Sequence, residues 1–158
     1  MSLLAFFQWC SDSAISVAIR NSVWQFAVIQ ASHLCAVAVF TGAVLVVDLR
    51  LMGRGLKQQT LAQVAQDAQP WMMGSLFAIV LTGIPQFTTN AIKYYHTPVF
   101  WWKMYLLAVA LVFTFTLRTK VTRADETRVG SFWAKVVAVV SIVLWTGVAL
   151  GGRVIGFY

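Results

Sequence analysis

His33 stands inside an uncharged apolar stretch, and Lys103 stands just inside another, in "VFWWKMYLL". A neutral imidazole is a strong metal ligand. An amine held away from water can lose its proton and bind a metal too. Polar side chains in an apolar span are costly and usually face the interior of a helix bundle. The plainer role for His33 is a hydrogen bond to a neighbouring helix. For Lys103 it is a stem that carries the ammonium to the nearest interface. His96, the other histidine, falls in the polar connection before Pro98, where a solvated ring is the ordinary outcome. No nucleophile–base pair, phosphate loop or zinc motif accompanies these residues. Asp48, Asp67, Asp125 and Glu126 fall at the opposite ends of the spans from His33, which argues against a carboxylate proton relay. Chemistry at His33 and Lys103 therefore belongs mainly to a cofactor.

The elements that must position them follow from composition. Hydrophobic residues make up 59% of the chain and charged residues 11%, against about 25% charged in soluble domains. Runs at 23–47, 71–92, 98–117 and 132–152 each reach the roughly 20 residues that cross a bilayer. Helices are required, because an open sheet leaves backbone groups unpaired in lipid. The expected fold is an all-α integral membrane protein, a four-transmembrane-helix bundle forming a single domain over 1–158. His33 lies about 15 Å along the first helix from Val23. Gln30 shares its face, and Ala36, Val37 and Phe40 continue it. The face of Lys103 runs on through Leu107, Ala110 and Thr114 with no further charge.

Residues 1–20 lack a basic stretch before "LLAFF", and "SDS" interrupts the run, unlike a typical signal peptide. Leu3, Phe6, Phe7, Trp9, Cys10, Ala14 and Val17 share one helical side, which predicts an N-terminal amphipathic surface helix. Asn21 or Ser22 caps the first span. The glutamine-rich segment 53–70 holds good helix formers from Leu56 to Gln69, which allows the first or second span to extend into the cytoplasm, and Pro70 favours a helix start. Pro85, two residues after Gly83, predicts a kink. Gly147 with Gly151, and Gly152 with Gly156, suit either tight packing within the bundle or a homo-oligomer face. Cys10 and Cys35 read as small hydrophobes rather than a disulfide.

The net charge of +7 is arranged as a topology signal rather than a nucleic-acid footprint. Arg50, Arg54, Lys57, Arg118, Lys120, Arg123, Arg128 and Lys135 flank the 50–70 and 118–131 loops, against Arg20, Lys93, Lys103 and Arg153 on the other side. Eight against four puts those loops in the cytoplasm and both termini outside. Arg153, Lys93 and Arg20 then share the outer level with His96 and Lys103, where the anionic groups of a cofactor or lipid are welcome.

The segment "ASHLCAVAVFTGAVLVVDLRLM" is similar to the first long helix of the bacterial HemJ-type protoporphyrinogen oxidases, with His33, Gly42 and Arg50-Leu51 in matching places. "QPWMMGSLFAIVLTGIPQF" resembles the next span of that family. "VFWWKMYLLAVAL" resembles the following helix start, with Lys103 in the lysine place. The copper-resistance D membrane domain has a similar layout. The match runs from about Ala31 to Thr116; the amino-terminal helix and the long glutamine-rich loop depart from it. The resemblance implies haem b, a bacterial inner-membrane location, and His33 and Lys103 as essential cofactor-site residues.

Three functions follow. The first is a haem b membrane protein with a redox role, either electron transfer to a partner or a HemJ-like oxidation. His33 would be the principal axial ligand, Lys103 or His96 the second, and Arg153 a neighbour of the cofactor. The second is a copper-handling membrane module using His33, His96 and the soft ligands Met104 or Met73. The third is a cofactor-free membrane assembly or lipid-interacting protein.

Overall fold

The apolar runs become helices longer than the expected spans. The computed structural model describes residues 2–54, 58–123 and 131–156, and among them there is no strand. Two short helices, α1 (Leu3–Ser11) and α2 (Ala14–Arg20), precede α3 (Val23–Leu51), α4 (Leu61–Thr89) and the short α5 (Ala91–His96). Then α6 (Pro98–Phe113) passes through a π turn (Thr114–Arg118) into α7 (Thr119–Arg123), and α8 (Ser131–Ile155) follows. Among the described residues, four stretches are long and apolar enough to cross a membrane: Val23–Leu51, Leu61–Thr89, Pro98–Thr122 and Phe132–Ile155. Lys57, Arg128, Asp125 and Glu126 lie outside the described residues.

The start of α4 departs from expectation. Pro70 does not begin this helix; it lies inside it, as does Pro85. The start is at Thr60, whose hydroxyl accepts from the Gln63 N–H at 3.3 Å while the Gln63 side chain accepts from the Thr60 N–H at 3.0 Å. This reciprocal capping satisfies two otherwise unpaired donors, and the good helix formers after it carry the helix through the proline. Pro85 removes one helical donor. Its own carbonyl accepts from Thr88 at 3.0 Å and Thr89 at 2.7 Å, in the last turn of the helix.

The amino-terminal segment is two helices rather than one, broken at Asp12 and Ser13, with Ser2 and Ser13 as caps. Of the seven residues expected to share a side, only Phe7 and Cys10 are buried, while Leu3, Phe6, Trp9, Ala14 and Val17 are exposed. What buries α1 and α2 is contact with α4 and α5. The Ser16 hydroxyl donates to the Thr88 carbonyl at 3.1 Å. Phe7 meets Phe87 and Tyr95 edge-on, both at 5.3 Å. Arg20 folds back onto Ser11, donating to its carbonyl at 2.7 Å and its hydroxyl at 3.0 Å. Tyr94 stacks on Phe100 at 5.0 Å, and burial pushes its phenol above the ordinary range. These aromatics form a lid over one end of the bundle, called here the α5 end. Of the two candidate caps for α3, Ser22 serves, accepting from the Gln25 N–H.

In the bundle α3 packs chiefly on α4, α6 chiefly on α8, and α3 also on α8. Phe40, Val44, Met72, Ala110 and Trp145 make a central core. Val47, Leu51, Leu61, Val64, Ala68, Val137 and Ala138 make a second core towards the α7 end. The exposed faces are themselves apolar, with Val23, Trp24, Phe77, Leu81 and Val143 all turned outward. A surface of that kind belongs against lipid. The glycine face of α8 is occupied within the chain. A Cβ added at Gly147 would lie 3.7 Å from Leu106, and one at Gly151 would lie 3.4 Å from Lys103 Cβ. Those two glycines let α6 approach, so they are not free for a second copy. Both cysteines are free thiols, Cys10 buried and Cys35 exposed.

Candidate functional site

The bundle interior holds two polar layers separated by packed aromatics. The layer nearer the α5 end is built on His33, which is half-buried. Its Nδ1 lies 2.8 Å from Thr82 Oγ1 across the α3–α4 seam. The Thr82 hydroxyl has one proton, and the Ala78 carbonyl 2.6 Å away takes it. With the Thr82 proton on that carbonyl, Thr82 accepts from the imidazole Nδ1–H, and this is the tautomer that leaves the Nε2 lone pair free. Metal-binding histidines are commonly oriented in this way, by a hydrogen bond from the nitrogen that does not bind. Gly83 lies beside the ring, and a Cβ there would sit 3.5 Å from His33 Cε1.

Lys103 reaches the same layer from α6, within electrostatic range of His33. Its stem lies along Gly151 and Gly152, and a Cβ at Gly152 would be 3.3 Å from Nζ. Leu107, Ala110 and Thr114 follow it inward, as expected, with Ala110 and Thr114 fully buried. Lys103 makes no hydrogen bond or ion pair with a described residue.

The second layer was not anticipated. Arg118, counted above as a loop charge, is 4% exposed, and Asp48 is fully buried. Arg118 Nε donates to Asp48 Oδ1 at 2.8 Å and its Nη2 to the Val44 carbonyl at 2.9 Å, while Nη1 lies 3.8 Å from the Met72 sulfur. Ser141 of α8 sits against the carboxylate but outside hydrogen-bond geometry, and both Asp48 Oδ2 and Ser141 Oγ are left without a partner. One arginine thus ties α6 to α3 and α4. The π turn that carries it is braced by Thr119, whose hydroxyl donates to the Thr114 carbonyl at 2.9 Å. Trp145 Nε1 donates to Thr114 Oγ1 at 3.1 Å. The Trp145 ring packs on Phe40 with centroids 4.6 Å apart, closing the space between the layers.

The layers are in register. His33 and Asp48 are fifteen residues apart on α3, as are Lys103 and Arg118 on the chain from α6, a rise of about 22 Å. Met72 and Gly83 are eleven apart on α4, as are Ser141 and Gly152 on α8. The spacings match within each pair of helices, and His33 against Gly83 and Lys103 against Gly152 end at one level.

The remaining candidates are not drawn in. His96 ends α5 exposed, its ring edge-on to Tyr95 at 5.0 Å rather than on a loop over the site. Arg153 is exposed on α8 next to Gly152, and Gln30 is exposed too. Trp101 and Trp102 are exposed and do not wall the interior. Met104 and Met73 are also exposed, and Met73 is about 15 Å along α4 from Gly83. Among the described residues no three of His, Cys, Asp and Glu gather as a metal site. Two surface depressions, one by Trp24, Gln25, Val28 and Ile29 and one between α3 and α4 by Gln59, Asp67 and Trp71, touch neither His33 nor Lys103. The residues missed by sequence reasoning are Thr82, the acceptor for His33, and the Asp48–Arg118 pair. An aspartate inside "VLVVDLRL" was the available signal for the pair, since a charge in an apolar run demands a partner.

Fold and site together define an all-helical protein with four membrane-length apolar helices and two internal polar layers. The chain matches the model of a family described as a family of unknown function (DUF6644) over residues 6–158, and it belongs to that family. No curated protein and no solved structure matches it.

Proposed function

We propose that the chain is a multi-pass membrane protein that binds haem b through His33 and serves a redox role, electron transfer or a HemJ-like oxidation of a small molecule. The observation that carries this reading is the His33–Thr82 hydrogen bond, because it engages Nδ1 and suits the tautomer with Nε2 free. Gly83 lies against the Cε1–Nδ1 edge of the ring and lets α4 approach it closely. When bound, haem supplies a one-electron change at iron. The chain's own part is to hold His33 in one orientation, place the Lys103 amine in the same layer, and keep water out of the interior with Phe40 and Trp145. Lys103 lies in the layer of His33, whereas His96 is exposed on α5 and takes no part in it.

In this reading the Asp48–Arg118 layer faces the cytoplasm of a bacterial inner membrane. With Arg118 buried in a pair, the charge count becomes seven against four, and the sign of the asymmetry is unchanged. The termini and the α1–α2 pair lie on the outer surface, with exposed Trp9 and Phe6 in the interfacial zone. The copper reading has less support, because its methionines are exposed.

The test is an absorption spectrum of the purified protein in detergent after expression with ample haem. A Soret band is expected in the parent and its loss in His33→Ala, with membrane insertion unchanged. A colourless parent, or an unchanged band in His33→Ala, overturns the reading.

A further inference from the structure

The layer around His33 is rich in donors and cations and has no acid. Thr82 and Gln86 are one turn apart on the same face of α4. Gln86 Nε2 is fully buried and has no hydrogen-bond partner. Lys103 brings a half-buried ammonium with no described acceptor. In the sequence the only carboxylate side chain in 1–47, 71–117 or 132–158 is Asp12, and it is exposed in the turn between α1 and α2. A buried amide N–H without an acceptor is rare in folded proteins and costly. A half-buried cation without an anion is costlier still. Gly152 leaves room beside the amine that any larger residue would take.

We infer that Lys103 and Gln86 form a carboxylate-binding subsite, which receives the acid group of an apolar ligand lying beside His33. Lys103 supplies the charge and Gln86 a neutral amide donor. The shared geometry is that of the proposed haem site, but the inference needs only an amphipathic carboxylate there. The acid is either a haem propionate or the head of a separate long-chain acid. Lys103 is then an anion partner rather than an iron ligand, which separates this reading from the alternative raised by the sequence.

The experiment compares acids with their esters on the intact chain in lipid nanodiscs. Haem b is titrated against haem b dimethyl ester, and dibromostearate against its methyl ester, the latter read by tryptophan quenching. The parent should prefer at least one acid over its ester by about tenfold or more, the scale of one charge-assisted hydrogen bond. Preference for haem b alone names the propionate. Preference for the stearate alone keeps the subsite and assigns it to a separate long-chain acid, while the haem reading stands or falls on the Soret band of the parent and His33→Ala. Lys103→Met should abolish the preference, Lys103→Arg should retain it, and the near-isosteric Gln86→Glu should reverse or erase it. The inference is overturned if the parent shows no preference for either acid. It is equally overturned if the parent's preference survives unchanged in Gln86→Glu, or if Lys103→Arg, folded by circular dichroism, loses it entirely.

Discussion

Replacing Arg118 by methionine should cost more stability than any other single substitution of a charged residue in the bundle. The guanidinium and the Asp48 carboxylate meet at 2.8 Å, with both side chains at most 5% exposed. Opposite charges about 4 Å apart attract by about 4 kcal/mol at an effective dielectric of about 20. The bond to the Val44 carbonyl adds about 1.5–3 kcal/mol. Most of this offsets the desolvation of the two ions, so the measured cost comes chiefly from stranding the survivor. Arg118→Met leaves Asp48 buried with no donor at all, since Oδ2 and Ser141 are unpaired already. Breaking such a pair from one side costs about 3–5 kcal/mol, whereas replacing both ions by apolar residues is often neutral. The double variant Asp48→Leu/Arg118→Met should therefore be more stable than either single variant. Equilibrium unfolding in mixed micelles, run as a double-mutant cycle, measures this directly. If the two single losses simply add in the double variant, the pair is not coupled and the buried ion pair is not what joins α3 to α6.

Thr82→Val keeps the shape but removes the acceptor for His33 Nδ1–H; haem affinity should fall by about 10–100-fold, read by titration of the Soret band. Trp145→Phe keeps the stacking on Phe40 and loses the bond to Thr114, which should lower stability by about 1 kcal/mol in the same unfolding assay. A cysteine at Gln58, in a background with Cys10 and Cys35 replaced, should resist an impermeant maleimide in intact cells while a tag on the amino terminus is reachable. The reverse pattern inverts the orientation.

The four long helices were legible because length and apolarity suffice to demand them. The inward stripe from Lys103 to Thr114 was legible because helical spacing is rigid. Ser22 was legible as a cap. The extension of the second span before Pro70 was legible from its helix formers, but the start at Thr60 was not, though Thr60 and Gln63 have the spacing of a capping box, because Pro70 looked like the stronger signal. Arg118 was misread for a different reason. Counting charges by position along the chain assigns every arginine at the end of a span to water. A long side chain can instead turn back into the bundle when an acid waits there. Thr82 was invisible as a partner of His33 because that contact spans forty-nine residues and depends on the rotation of two helices about their axes.

The π turn at Thr114–Arg118 has a geometric consequence of its own. Each residue in an α-helix turns the chain by about 100°, so the direction in which Arg118 leaves the helix is tied to that of Lys103 unless something breaks the phase. A widened turn accommodates an extra residue without ending the helix. It works as a phase shifter between the two polar layers of α6. The amine end can stay aimed at Gly151 and Gly152 while the guanidinium end is aimed separately at Asp48. A helix of uniform pitch would have to compromise between the two bearings, and here the adjustment is confined to five residues.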